Sequence, residues 1–164
     1  AETAAIAVQA GLTGHLILTT VHADSSAGVF NRLLEMHVEP SILASVSLAS
    51  ISQRLVRKLC QCRAVREPSP EQAERLKAAG LAQGPFFGPV GCERCGQTGY
   101  DGRTAVFEVL HVTNALRDAL GASPSTQALM AIAKQDGTVP MFEAVVAKVR
   151  AGETSLDEAF RVAG

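Results

Sequence analysis

The feature that most restricts the fold of this sequence is a set of four cysteines in two close pairs. Cys60 and Cys62 form the first pair and Cys92 and Cys95 the second, and together they are all the cysteines of the 164-residue chain. Structural zinc is commonly held by four thiolates from two such pairs. Glycines around the second pair would let the backbone turn tightly about the sulfur atoms. The spacing therefore predicts a structural zinc site that joins the two ends of the segment between the cysteine pairs.

The first pair departs from the usual spacing of a zinc knuckle, because one residue rather than two separates Cys60 from Cys62. Free thiols and an empty site therefore stay open beside zinc. A redox pair is not favoured, since Cys92 lies in a Gly/Pro loop instead of following a strand and opening a helix. A phosphate loop is excluded for residues 91–103, which lack the Gly-Lys-Ser/Thr ending. Chaperone-type cysteine domains carry four repeats, and only one similar stretch occurs here.

Composition indicates a globular protein without an obvious charged partner. The chain is 47% hydrophobic and 19% charged, with a formal net charge of -1, which gives no global reason to expect nucleic acid or an anionic membrane. No apolar run approaches the roughly 20 residues of a membrane helix, and the first residues do not resemble a signal peptide. Cysteines without an export signal indicate the cytosol. The abrupt helical start suggests a fragment of a longer protein.

Hydrophobic periodicity predicts two helices around one buried strand at the start of the chain. A helix is expected over residues 2–10, followed by a strand over 15–22 that is apolar on both faces, as in a parallel sheet. Three polar residues at 24–26 offer N-caps for a helix through about Met36.

A longer helix is predicted from Pro40 to about Leu59. Its apolar residues recur at helical spacing; they are Ala44, Leu48, Ile51, Leu55 and Leu59. Three basic residues crowd its end and would complement the helix dipole; they are Arg54, Arg57 and Lys58.

The second half reads as a cysteine-bearing loop region followed by helices. A small helix closed by Gly80 lies between the cysteine pairs, and a turn at Asp101 and Gly102 leads into a strand. Ser155 and Glu158 have capping-box spacing for a last short helix. The other helices are expected at 113–120, 125–135 and 141–150.

His22 stands at the end of the predicted strand. Ligands of open α/β sheets bind beyond the carboxyl ends of strands, so His22 is a candidate binding residue. The alternative is an ordinary loop histidine. His37 and His111 lack this placement and are interpreted as surface or boundary residues.

An ordered series of segments resembles the type II secretion and type IV pilus assembly ATPases over essentially the whole chain. The first segment resembles the stretch after the family's Walker B motif, and the last resembles its C-terminal ending. His37 replaces a glycine of the family pattern. The segments are AETAAIAVQAGLTGHLILTTVHA, NRLLEMHVEP, SQRLVRKLCQC, GCERCGQTGYDGRTAVFEVL and RAGETSLDEAFRV.

The resemblance implies an α/β to mostly α fold in three consecutive parts. Residues 1–59 would be the C-terminal part of a RecA-like ATPase domain, 60–103 a tetracysteine zinc subdomain, and 104–164 a strand with a helical C-terminal tail. The chain has no Gly-x-x-x-x-Gly-Lys-Ser/Thr, so we expect this polypeptide alone not to bind or hydrolyse ATP appreciably. ATP and Mg²⁺ are expected only in a full-length parent.

The resemblance also implies which residues lie near the nucleotide. His22 matches the histidine that faces the γ-phosphate in the family, and His15 matches its other histidine. Glu2 matches an acidic residue just past Walker B, and Gln53 and Arg54 match a motif of less certain role.

Two functions follow from these observations. In the first, the chain is the C-terminal portion of a cytoplasmic ATPase at the bacterial inner membrane. That parent would be a homo-hexamer that works with inner-membrane platform proteins and binds no nucleic acid. In the second, the chain is a non-enzymatic docking module stabilised by zinc. The sequence does not sort secretion from pilus assembly.

Overall fold

The computed structural model describes residues 2–81 and 84–163, without the side chain of Glu2. The helices, in chain order, are α1 (Glu2–Leu12), α2 (Gly28–Glu35), α3 (Pro40–Val46), α4 (Pro70–Ala78), α5 (Asn114–Leu120), α6 (Thr126–Gln135), α7 (Met141–Arg150) and α8 (Leu156–Ala163). The strands are β1 (Ala49–Leu59), β2 (Ala64–Val65), β3 (Phe87–Gly88) and β4 (Tyr100–His111). Every helix of the described ranges is too short or too polar to cross a bilayer.

The chain divides into two compact units that interleave along the sequence. Unit 1 comprises Ala1–Ser52 and Glu108–Val139, and unit 2 comprises Gln53–Phe107 and Pro140–Gly164. β1 and β4 are hydrogen-bonded neighbours in one sheet, and the boundary between the units falls within both strands. The sequence-based division into 1–59, 60–103 and 104–164 follows chain order and stays a prediction.

Unit 1 is a group of helices around an apolar core. Residues from α2, α3, α5, α6 and the end of β4 supply that core. Its largest fully buried side chains are Phe30, Leu43, Leu110, Leu116, Leu120 and Leu129. Ser125 caps α6 and Thr113 caps α5, since each side-chain oxygen accepts from a backbone N–H in the first turn. The predicted helices at 113–120 and 125–135 are confirmed.

The strand predicted over residues 15–22 is wrong. These residues form neither strand nor helix, and the side chains of Leu16 and Leu18 are 75% and 89% exposed. A strand apolar on both faces needs neighbours on both sides, and no strand of the described residues pairs with this one.

The helix predicted from Pro40 to Leu59 is wrong beyond Val46. Ser47 has extended dihedrals that end α3, and the chain then continues as β1. The helical spacing of these apolar residues does not mark a buried helix face, because Leu48, Ile51 and Leu55 are 63%, 62% and 47% exposed. Pairing with β4 supplies the backbone hydrogen bonds that a helix would otherwise have made. The basic residues near Leu59 therefore lie on a strand and complement no helix dipole.

Unit 2 packs α7 and α8 with α4 and the unit's part of the sheet. Val145, Val146 and Val149 of α7 are fully buried, as its apolar spacing predicts. The short strands β2 and β3 pair antiparallel, with Ala64 opposite Gly88. The small helix between the cysteine pairs is confirmed as α4, whose Ser69 and Gln72 form a capping box. The strand expected after a turn at Asp101 and Gly102 is confirmed, but the turn is wrong, because β4 begins at Tyr100 and includes both residues.

Candidate functional site

The four cysteines meet at one place in unit 2. Their sulfur atoms all lie within 4.8 Å of one another. The Sγ atoms of Cys60 and Cys92 are 3.9 Å apart, those of Cys62 and Cys95 4.0 Å, and those of Cys92 and Cys95 3.7 Å. Residues more than thirty positions apart in the chain are thus brought together, as the two-pair pattern predicts.

The short spacing of the first pair is accommodated by a turn at the end of β1. The N–H of Arg63 donates to the carbonyl of Cys60 at 3.0 Å, which places Cys60 and Cys62 at the first and third positions of a tight turn. The N–H of Cys60 donates to the carbonyl of Gly99 at 2.9 Å and fixes this turn against the second pair. The Cys-x-Cys spacing therefore does not prevent the four sulfurs from converging.

The second pair lies in a single 3₁₀ turn, Glu93–Cys95, that directs backbone N–H groups at sulfur. The N–H groups of Cys92 and Gly99 each donate to Sγ of Cys95 at 3.2 Å. Gly99 has a φ of +74°, and a Cβ on it would lie 2.4 Å from Cβ of Pro89. Only glycine fits there, because both the left-handed conformation and the close approach exclude a side chain.

The environment shifts the pKa values of Cys62 and Cys95 in opposite directions. Burial acts to raise the pKa of Cys95, but the hydrogen bonds from the backbone of Cys92 and Gly99 and the neighbouring thiols stabilise the thiolate and lower that pKa to about 6. A backbone hydrogen bond from Gly91 acts to lower the pKa of Cys62, but burial and the three neighbouring cysteines raise it to about 11. N–H donors aimed at sulfur are a favourable surrounding for a ligating thiolate.

The arrangement fits zinc on its own geometry. Four thiolates at a zinc–sulfur distance of about 2.3 Å in a tetrahedron have sulfur–sulfur edges of about 3.8 Å. The three sulfur pairs measured above lie at 3.7–4.0 Å. Four protein thiolates leave no open position on a tetrahedral ion, so the role they can support is structural.

The sequence analysis interpreted Glu158 only as part of a capping box and missed that its carboxylate is buried. Glu158 of α8 is fully buried and receives two arginines. Its carboxylate accepts from Nε and Nη2 of Arg57 at 3.0 and 2.8 Å, from the N–H of Arg57 at 2.8 Å, and from Nε and Nη2 of Arg161 at 2.9 and 2.7 Å. The Arg161 hydrogen bonds, opposed by burial and joined by those of Arg57, lower the pKa of Glu158 to about 2.

The predicted capping box at Ser155 is half formed. Oγ of Ser155 accepts from the N–H of Glu158 at 3.3 Å, but the Glu158 carboxylate points to the arginines instead of returning to the cap. A glutamate on the buried side of a short amphipathic helix was the signal that could have found this network. Its partner Arg57 was not recognised, because the residues of β1 were predicted to be helical.

The residues just before α8 contact β1, the strand that leads directly into the first cysteine. Oγ1 of Thr154 donates to the carbonyl of Arg57 at 2.7 Å, and the N–H of Leu59 donates to the carbonyl of Glu153 at 2.8 Å. The guanidinium of Arg57 also stacks 4.1 Å above the ring of Tyr100. Cys60 directly follows Leu59 in the chain. The end of β1 therefore contacts the residues before α8 and also leads into the cysteine cluster.

The residues expected near a nucleotide lie on irregular or exposed segments. His22 and His15 are both exposed in unit 1, where Nδ1 of His15 and Oγ1 of Thr13 are 2.9 Å apart. Gln53 is exposed and Arg54 is half-buried on β1 in unit 2. The side chain of Glu2 lies outside the described residues. Their assignment to a nucleotide site stays a prediction.

The fold matches part of a solved pilus retraction motor. A crystal structure titled as the pilus retraction motor PilT with bound ADP superposes with a TM-score of 0.65 and 18% identity, covering 98% of this chain and 36% of that one. The chain therefore has the fold of part of that motor, with a tetracysteine cluster and C-terminal helices, which agrees with the α/β to mostly α fold class that the sequence predicts.

The family follows from sequence comparison. The model of the family described as type II/IV secretion system protein matches residues 1–161, and the chain belongs to this family. A putative type II secretion system protein E of Escherichia coli is 45% identical over 99% of this chain and 33% of its own length. The type IV pilus assembly ATPase PilB of Thermus thermophilus is 40% identical over 96% of this chain and 18% of its own length. The chain thus spans a third or less of these relatives.

Proposed function

We propose that this chain is a portion of an ATPase that powers type II protein secretion or type IV pilus assembly. The observation that carries the proposal is the family match over residues 1–161, together with relatives of 40–45% identity that are named as type II secretion proteins or as a pilus assembly ATPase. By this proposal the full-length protein hydrolyses ATP with Mg²⁺, forms a homo-hexamer, and acts in the cytoplasm on inner-membrane platform proteins.

In the proposed mechanism, His22 senses the γ-phosphate, and hydrolysis moves the ring. His15, Glu2, Gln53 and Arg54 are proposed to lie near the same nucleotide. The exposure of His22 in unit 1 leaves its imidazole accessible to a ligand. The phosphate loop and the Walker B carboxylates of such a site are not within these residues, so the nucleotide site is proposed for the full-length protein.

Zn²⁺ is proposed as the ion held by Cys60, Cys62, Cys92 and Cys95. Its part is structural, because the four thiolates would saturate the ion and leave none of its positions for a substrate. The chemistry it supplies is a cross-link between the end of β1 and the loop before β4. The second candidate is that the chain is a non-enzymatic docking module stabilised by zinc, favoured by the separate core of unit 2, which holds the cysteines.

The experiment that tests the ATPase proposal compares His22→Ala with His111→Ala in the full-length protein. His111 is an exposed histidine at the end of β4 and serves as a matched control. We expect His22→Ala to lower kcat for ATP hydrolysis about a hundredfold, as loss of a group that contacts the reacting phosphate does, with His111→Ala unchanged. Unchanged turnover in His22→Ala would remove the phosphate-sensing role.

A binding measurement on the present chain tests whether its nucleotide site depends on residues outside it. Calorimetric titration with ATP and Mg²⁺ is expected to show no tight binding, because the backbone cradle and lysine of a phosphate loop are absent from these residues. Tight binding would contradict the proposal that the nucleotide site depends on residues outside this chain.

A further inference from the structure

A second buried glutamate, Glu108 of β4, anchors the segment that carries His22. Glu108 is 3% exposed and Ser26 is fully buried, although 82 positions separate them. Oε1 of Glu108 accepts from the backbone N–H of Ser26 at 2.9 Å and from its hydroxyl at 2.6 Å. Both residues belong to unit 1.

The setting of Glu108 argues that these two hydrogen bonds are its specific task. Val106 and Leu110, its neighbours on the same side of β4, are buried and apolar. An apolar residue at 108 would continue this row without the cost of burying a carboxylate. The carboxylate also makes further contacts, but its two bonds to one buried serine select a single position for the backbone at Ser26.

Ser26 is the point at which the His22 segment enters the core. Residues 12–20 are exposed, and Ser26 and Ala27 are the first buried residues after His22. Ser26 was predicted as a possible N-cap of α2, but the hydroxyl that accepts from the N–H of Gly28 at 3.1 Å belongs to Ser25. The side chain of Ser26 is therefore committed to Glu108, and His22 lies four residues before this anchor.

We propose that Glu108 is a positioning residue for His22, acting through Ser26 to fix the backbone that presents the imidazole to the nucleotide. This rests on the proposed function, in which His22 faces the γ-phosphate. Displacement of a reacting or contacting group by about 1 Å can cost on the order of a hundredfold in rate, so loss of the anchor should be visible in turnover.

The test measures kcat and KM for ATP in the full-length protein with graded changes at the anchor. Glu108→Leu removes the oxygen that accepts both bonds and is expected to lower kcat roughly ten- to hundredfold. Ser26→Ala keeps the backbone bond and should give a smaller loss of about threefold to tenfold. Glu108→Gln retains an acceptor oxygen and should recover turnover to within about threefold of the parent.

A matched control separates positioning from loss of stability. The side-chain amide of Asn31 and the hydroxyl of Thr126 lie 2.7 Å apart and join α2 to α6 in the same unit, without a bond to Glu108. Asn31→Ala should lower the melting temperature as much as Ser26→Ala does, while kcat stays unchanged. Equal losses of kcat in the two variants would assign the effect to general destabilisation and overturn the proposal.

A double-mutant cycle with His22 gives the deciding result. If Glu108 acts through His22, Ser26→Ala and Glu108→Leu should lower kcat no further once His22 is alanine. Full additivity in that background would overturn the positioning role while leaving the proposed function intact. A His22→Ala variant with normal turnover would instead remove the proposed phosphate sensing, and the positioning role with it. Should Glu108→Leu not fold, the cycle of Ser26→Ala with His22→Ala decides the question alone.

Discussion

The cysteine cluster and the His22 segment are the two regions to which the sequence assigns chemistry, and they differ in how much of their geometry the chain supplies. The four sulfurs lie within 4.8 Å of one another, with backbone N–H groups directed at Cys95. The segment over residues 15–22 is instead irregular, with Leu18 89% exposed.

The difference follows from the range of the interactions that each region needs. Tight turns, left-handed glycines and one pairing between two loops suffice to gather the cysteines. A strand that is apolar on both faces requires neighbouring strands, and none of the described residues provides them for 15–22. The comparison therefore predicts large effects from changes at the cluster and small ones at exposed positions before His22.

The largest expected effect is removal of metal from the cluster. Structural zinc contributes about 10–16 kcal/mol of apparent binding free energy in small zinc-finger peptides, and that binding is coupled to folding. We expect one zinc per chain by elemental analysis and a loss of at least about 5 kcal/mol in the free energy of unfolding on chelation. Chelator should have no effect on a Cys60→Ser, Cys92→Ser variant, and a parent chain without metal would contradict the assignment.

The next largest effect is expected at Glu158. Removing the buried carboxylate takes away the acceptor that two arginines share. The arginine side chains are 49% and 54% exposed and can be solvated, so we expect the cost of hydrogen bonds to a charged group, about 1.5–3 kcal/mol. Glu158→Ala should lower the free energy of unfolding by this amount in urea titrations. Asp157→Ala is the matched control, because its carboxylate pairs with Arg66 at 3.0 Å while about half exposed. A loss below about 1 kcal/mol at Glu158 would show that the network contributes no more than a surface ion pair.

Because the pKa of Glu158 is lowered, its contribution to the free energy of unfolding depends on pH. The arginine hydrogen bonds, against the opposing effect of burial, hold that pKa at about 2, below its usual 4.5, so the folded state binds the proton more weakly than the unfolded state. The resulting stability of about 3 kcal/mol is complete above about pH 5 and is lost as pH falls towards 2. The difference in unfolding free energy between parent and Glu158→Gln should shrink over this range, and a constant difference would contradict it. Loss of metal in acid affects both proteins and cancels in the difference.

The parts that sequence reasoning predicted correctly are those determined by local signals. The small helix α4 that ends before Gly80 and the buried face of α7 both lie within a few residues of the pattern that specifies them. The convergence of the cysteines was predictable because zinc ligation restricts spacing so strongly.

The parts that could not be predicted depend on partners distant in the chain. Leu48, Ile51 and Leu55 recur at helical spacing, but β1 pairs with β4, which begins more than forty residues later. The hydrogen bonds of the two buried glutamates could not be predicted for the same reason, since Ser26 and Arg57 lie 82 and 101 positions from Glu108 and Glu158. A local sequence pattern does not show which strand or which distant side chain will supply the hydrogen-bond partner of a given group.

An intermediate effect is expected from a pair of glycines beside the cysteines. Gly99→Ala meets both a φ of +74° and an approach of 2.4 Å to Pro89, whereas Gly96→Ala has a φ of +58° with nothing within 4 Å. Left-handed backbone alone costs about 1–2 kcal/mol, and overpacking adds about 1–3 kcal/mol. Thermal unfolding should therefore show Gly99→Ala to be the more damaging change by at least about 1 kcal/mol. Equal effects would mean that the approach of Gly99 to Pro89 relaxes without cost.

The smallest expected effect tests the exposed side of the comparison. Leu18→Ser in this chain should change the free energy of unfolding by less than about 0.5 kcal/mol, because an exposed side chain has little apolar area to lose. Leu43→Ala, at a fully buried leucine of the same unit, should cost about 2–5 kcal/mol. A loss above about 2 kcal/mol for Leu18→Ser would place that side chain in a packed environment. The predicted buried strand would then form in this chain, and the contrast with the cysteine cluster would fail.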